Sequence, residues 1–146
     1  MKAAPATSAP AVARPVRTQG MNWIRQEKRL AIYLRDGLAC AYCGAGLESG
    51  TQLSLDHLLP YCEGGSNKET NLVTCCSKCN SSRGKRSVAT FVEAVAAYLN
   101  NGVTAGKIFD HIFACTERPL DVPAAKAIIQ SRASWGEALQ AANELR

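Results

Sequence analysis

The stretch LDHLLPYCEGGSNKETNLVTCCSKCNSSRGK, residues 55–85, decides the architecture. With the preceding residues, TQLSLDH alternates in strand fashion and puts Leu53 and Leu55 on one side. CEGGSNKET is a polar, glycine-containing loop, and NLVT is a short β-prone run. CSKCNSSRGK starts a helix that Gly84 ends. The order is strand, loop, strand, short helix. One of only two histidines, His57, follows Asp56 at the end of an apolar run and just before Pro60. A charged pair next to a core is costly, so it is either a solvated loop pair or a chemical one.

Seven cysteines, at 40, 43, 62, 75, 76, 79 and 115, are an odd number. The expectation is metal ligation, without a disulfide framework. Cys40-x-x-Cys43 and Cys76-x-x-Cys79 are two knuckles with 32 residues between them. A two-residue spacer lets one turn supply two thiolates, and zinc takes four in a tetrahedron. A site filled by four sulfurs has no place for water or substrate, so this zinc is expected to be structural. Cys75 competes with Cys76 for the fourth position, but its spacing to Cys79 is one residue too long. Cys62, Cys75 and Cys115 are expected to be free thiols. A redox role for the Cys-x-x-Cys pairs is the weaker alternative, since no thioredoxin-like βαβ pattern accompanies them.

Helices flank this segment. Residues 22–36 read as a helix, with Asn22 as a cap and Gly37 at its end. A strong helix begins at Ser87, and its stripe of Val88, Phe91, Val92, Val95, Tyr98 and Leu99 reads as core. Another spans 104–115 with Ile108, Phe109, Ile112 and Phe113, and His111 beside them reads as structural. The last opens on a capping box, Ser134 and Glu137. The fold class is α+β, mostly helical. The domains are an Ala/Pro-rich basic tail over 1–20, expected to be disordered, a core over 21–100 and a helical extension over 101–146.

The formal net charge is +5, unevenly spread. Residues 1–40 carry seven Lys or Arg against two acids, and 81–100 carry three against one. The segment between is net acidic, and 101–146 balances. That pattern suits a polyanion whose chemistry occurs at a metal. No apolar run reaches the roughly 18 residues of a membrane span. The first residues lack an apolar h-region, so the expected location is cytoplasmic, with an organelle transit peptide as the alternative.

Residues 29–86 resemble the core of a zinc-knuckle HNH endonuclease. The matching positions are Asp56-His57, Pro60, Gly64-Gly65, Asn71-Leu72, Cys76 to Cys79, Asn80, Arg83 and Lys85, with RDGLACAYCG as the lead-in. The resemblance implies a ββα-metal core that hydrolyses DNA phosphodiester bonds, double-stranded DNA foremost. It implies His57 as general base and Asp56 and Asn80 as ligands of a catalytic Mg2+ or Mn2+. Asn71 would brace the loop between the strands and help orient the histidine.

The residue types fit that chemistry. An imidazole, with an ordinary pKa of about 6.5, is substantially in its base form at neutral pH and can take a proton from water. A hard cation on oxygen ligands stabilises charge on the leaving 3′ oxygen. Arg83, Lys85 and Arg86, after the site helix, are candidate phosphate contacts. Neighbours in a strand point to opposite faces, so Asp56 and His57 share a site only if the strand ends or bends there. The alternative function is a zinc-stabilised nucleic-acid-binding module without catalysis.

Overall fold

The computed structural model describes residues 23–132 and 134–145. The tail over 1–20 and the Asn22 cap lie outside the described residues. The elements run α1 (Gln26–Arg35), β1 (Leu53–His57), β2 (Leu72–Cys76), α2 (Ser77–Arg83), α3 (Val88–Leu99), α4 (Ala105–Glu117), α5 (Val122–Gln130) and α6 (Trp135–Glu144). Short 3-10 turns at Leu47–Ser49, Tyr61–Glu63 and Glu69–Asn71 shape the connections. The fold is thus mostly helical around a two-stranded antiparallel sheet, as its sequence implies. No helix among the described residues is long and apolar enough to cross a membrane.

Two helical layers bury the small sheet. Val73 and Cys75 pack with Phe91, Val92 and Val95 of α3 and Ile108 and Ile112 of α4. Leu55 and Leu72 pack with Leu30, Ile32 and Tyr33 of α1, Ala125 of α5 and Ala142 of α6. All five residues of β2 are therefore buried. A hairpin this small is marginal in water, and the two layers supply the apolar contact it lacks.

A two-stranded sheet also leaves a row of unpaired backbone groups along each edge. The edge of β2 is closed by Arg35 and Asp36 at the end of α1. Asp36 Oδ2 accepts from the Thr74 amide at 2.8 Å, and Arg35 donates to the carbonyls of Leu72 (2.7 Å) and Glu69 (2.9 Å). The two side chains pair with each other at 2.7 Å and are 1% and 0% exposed. The Ala41 amide then donates to the Thr74 carbonyl at 2.9 Å. The RDG lead-in is thus a clamp as well as a helix end, and Gly37 leaves it at φ +82°. Removing one partner strands a buried charge. Asp36→Ala should lower unfolding stability by about 3–5 kcal/mol, read by urea denaturation. A loss below about 1 kcal/mol would show that the clamp is not needed.

Two elements differ from sequence expectation. α1 starts at Gln26 rather than at 22, with no side-chain cap. α5 has no counterpart in the sequence reading. Proline is tolerated in a first helical turn, and Asp121 caps this one by accepting from the Ala124 amide at 3.1 Å. Tyr98, read as core, is 66% exposed at the end of α3.

Candidate active site and cysteine cluster

The two knuckles converge. The sulfurs of Cys40, Cys43, Cys76 and Cys79 all lie within 4.8 Å of one another, placed to hold one metal ion. Cys43 and Cys76 sulfurs are 3.7 Å apart. A tetrahedron with bonds of about 2.3 Å would set neighbouring sulfurs about 3.8 Å apart. Each knuckle is the same turn. The Cys43 amide points at Cys40 Sγ (3.4 Å) and the Cys79 amide at Cys76 Sγ (3.3 Å), so Cys76 is also the N-cap of α2.

Within the cluster, Cys40 and Cys43 are shifted in opposite directions. The Cys79 hydrogen bond lowers Cys40 to about 5, whereas burial raises Cys43 to about 11. Metal binding must displace the protons that remain, so metal affinity rises with pH. Cys75 turns away, with its sulfur 3.4 Å from Ser54 Oγ, and burial pushes its thiol up. Cys62, Cys75 and Cys115 form no disulfide.

The register explains the Asp-His pair. Asp56 stands opposite Val73 and His57 opposite Leu72, on opposite faces of the sheet. His57 is the last strand residue, and there the faces meet at a cleft of about 270 Å³. Asp56, His57 and Asn80 all line it, with Arg83, Trp23 and Tyr61.

Asp56 is buried. Its Oδ2 accepts from the Tyr42 hydroxyl at 2.6 Å and from Arg83 Nη1 at 2.5 Å. Burial and the adjacent carboxylate push the Tyr42 phenol well above the usual tyrosine range, which keeps it a donor. Oδ1 accepts no hydrogen bond among the described residues. Asn80, on α2, donates through Nδ2 to Ser54 Oγ at 3.2 Å, and that bond does not use its carbonyl oxygen.

His57 lies 2.8 Å through Nε2 from Asn67 Oδ1. An amide oxygen only accepts, so Nε2 is the donor to Asn67, and Nδ1 is the ring nitrogen not used in this bond. The imidazole also lies 4.9 Å from the Trp23 ring and 6.0 Å from the Tyr61 ring.

Asn71 braces the loop between the strands. It accepts from the Leu59 amide at 2.9 Å and donates to the carbonyls of Leu59 and Ser66 at 3.1 and 2.8 Å. The same fold-back explains Gly65, where a Cβ would stand 1.8 Å from the Leu59 carbonyl oxygen. The direct histidine partner is thus Asn67, four residues before Asn71. Only its place in the folded loop marks it.

Arg83 is a further difference. It is expected beside Lys85 and Arg86 on a phosphate-binding surface, yet it is 3% exposed. Besides Asp56 it donates to the carbonyls of His57 (2.9 Å), Leu58 (2.7 Å) and Arg86 (2.9 Å). A buried carboxylate needs a cation, and Arg83 answers that need. Lys85 and Arg86 are exposed. His111, 3.6 Å from the Cys115 sulfur, stands apart from the cleft.

This cleft is flanked by α2, whose N-cap, Cys76, belongs to the cysteine cluster. Residues 40–95 match the HNH endonuclease family model. The match spans both strands, α2 and most of α3, and leaves α1 and α4 to α6 outside. No curated protein and no solved structure matches the chain. The HNH segment supports a nuclease-type function acting on nucleic acid, and its four cysteines suit a metal.

Proposed function

We propose that the chain is a metal-dependent HNH endonuclease that hydrolyses DNA phosphodiester bonds. The observation that carries this reading is the convergence of Asp56, His57 and Asn80 on one cleft beside the cysteine cluster. In this reading the cysteine cluster holds a structural Zn2+. His57 Nδ1 takes a proton from water, and Asn67 holds the opposite ring nitrogen protonated. Asp56 Oδ1 and the Asn80 carbonyl oxygen are the hard ligands for Mg2+ or Mn2+. Bound there, the cation would stabilise charge on the leaving 3′ oxygen. Two protein oxygens are few, so water and substrate phosphate complete the shell, as Mg2+ prefers. Tyr42 and Arg83, both on Oδ2, leave Oδ1 turned to this task. Lys85 and Arg86 contact the phosphate backbone without reading sequence.

The test is incubation of the chain with supercoiled plasmid and, separately, with RNA, with and without added Mg2+ or Mn2+. Divalent-dependent nicking or linearisation of the plasmid is expected. No cleavage with either metal would remove the reading. One observation favours a zinc-stabilised binding module instead: Arg83 already neutralises Asp56, which lowers the attraction for a second cation. Plasmid binding without cleavage in the same assay would select that module.

Asn67 has its own signature. Asn67→Leu should lower kcat about 10- to 100-fold with DNA affinity retained, the size usual for partners that orient a functional histidine. Asn67→Asp restores an acceptor and adds a negative charge, which favours the imidazolium. The base form is then lost at higher pH, so the acid limb of the pH–rate profile moves upward. An unmoved limb would detach Asn67 from His57.

A further inference from the structure

On the other side of α2 lies a larger groove of about 730 Å³, between the cysteine cluster, α2 and α3. Its floor is apolar, made by Phe91, Val95 and Leu99 of α3. Lys78 and Arg86 also line it, and no Asp or Glu does. Tyr98 stands at its side, 66% exposed. Lys78 Nζ lies 3.8 Å from the Tyr98 ring centroid and donates to its hydroxyl. An exposed aromatic ring with a cation over one face, above an apolar floor lined by no Asp or Glu, is the chemistry that accepts an unstacked base on the other face with its phosphate on the cation.

The groove also connects to the cleft. Arg83 and Gly84 line the cleft, whereas Ser82 and Arg86 line the groove. The two cavities therefore meet across the turn 82–86, with Lys85 between them. Gly84 presents no side chain there, and a Cβ on it would meet nothing within 4 Å. A strand leaving the cleft can cross this turn without losing positive charge.

We infer that this groove binds unpaired nucleotides flanking the scissile phosphate, with a base stacked on Tyr98 and its phosphate on Lys78. The inference rests on the nuclease reading for the direction of the strand. A duplex offers no free base face to Tyr98, because its bases stack on one another. The selected ligand is single-stranded nucleic acid, and the groove discriminates by stacking rather than by sequence.

The test uses the full chain carrying His57→Ala, without added divalent cation, so that binding is read apart from cutting. Fluorescein-labelled dT12, U12 and a 12-base-pair DNA hairpin are titrated by anisotropy. Adding Tyr98→Ala should weaken dT12 binding about 5- to 150-fold, the stacking contribution of one base, and leave the hairpin unchanged. Tyr98→Phe should retain binding. Lys78→Ala should flatten the salt dependence of dT12 binding by about one phosphate contact. U12 should bind as well, since stacking serves both sugars. Tyr98 is exposed, so its replacement leaves the core intact, which circular dichroism checks. Equal dT12 affinity with Tyr98→Ala, or no binding of dT12 or U12 by the parent, overturns the inference. Plasmid cleavage by the chain with His57 intact would still stand in that case, which separates this failure from failure of the nuclease reading.

Discussion

Replacing His57 with alanine should lower plasmid cleavage about 10²- to 10⁴-fold, the range of a lost general base. Metal content and DNA affinity should stay as they are. Asp56, Asn80 and the cysteine sulfurs keep their own partners, none of which is the imidazole ring. Loss of the ring opens space against Trp23 and Tyr61 at the rim of the cleft. Imidazole added to the solution should enter that space and restore part of the rate. His57→Gln fills the space without a comparable base and should stay inactive with imidazole present. If His57→Ala cuts as fast as the parent, the base lies elsewhere and the assignment fails.

The second large effect is expected on removal of the zinc proposed for the cysteine cluster. Structural zinc sites contribute on the order of 10–16 kcal/mol of apparent binding free energy in small zinc-binding peptides, which is comparable to or larger than a typical domain stability of about 5–15 kcal/mol. The four cysteines come from two segments with 32 residues between them, and they fix the knuckle at Cys40 to the junction of β2 with α2. Complete stripping by a strong chelator should melt residues 40–85. β2 lies in both hydrophobic cores, so helices outside the HNH segment should lose protection too. Hydrogen exchange should show faster amides in β2 first and then in α1 and α3. Cys76→Ser, which also removes the sulfur cap of α2, should reproduce the effect and abolish stoichiometric zinc. Unchanged circular dichroism after verified removal would refute a folding role. Readdition of Zn2+ should restore structure better at pH 8 than at pH 6, because ligation displaces thiol protons.

The site was legible wherever its residues act through short-range geometry. Cys-x-x-Cys closes one turn, so the spacing reads directly as two ligands. Asn71 lies where NLVT re-enters the sheet, and a brace at that point needs only the loop beside it. The caps at Ser87, Thr104 and Ser134 each accept from an amide three residues on, a bond within one helical turn. α5 has no counterpart in the sequence reading, although Asp121 as N-cap and Pro123 in the first turn mark its start.

Long-range partnerships were not legible in the same way. Arg83 and Asp56 are 27 residues apart, and nothing in RGKR tells a buried guanidinium from the exposed Lys85 and Arg86 beside it. Arg35 and Asp36 read as an ordinary helix end, yet they close the edge of β2. Asn67 and Asn71 share one loop, and only the folded loop decides which meets the imidazole. Tyr98 continues an apolar stripe but extends past the layer that would cover it.

By itself the sequence determined the element order from 51 to 85 and which four cysteines come together. The strand and helix signals, and the turn inside each Cys-x-x-Cys, depend on backbone geometry within a few residues. Tertiary structure alone decided that Asp56 and His57 meet at one cleft, that Arg83 turns inward, and that Tyr98 stays outside. The reason is desolvation: which polar group must find a partner depends on what covers it, and the cover is supplied by helices distant in the chain.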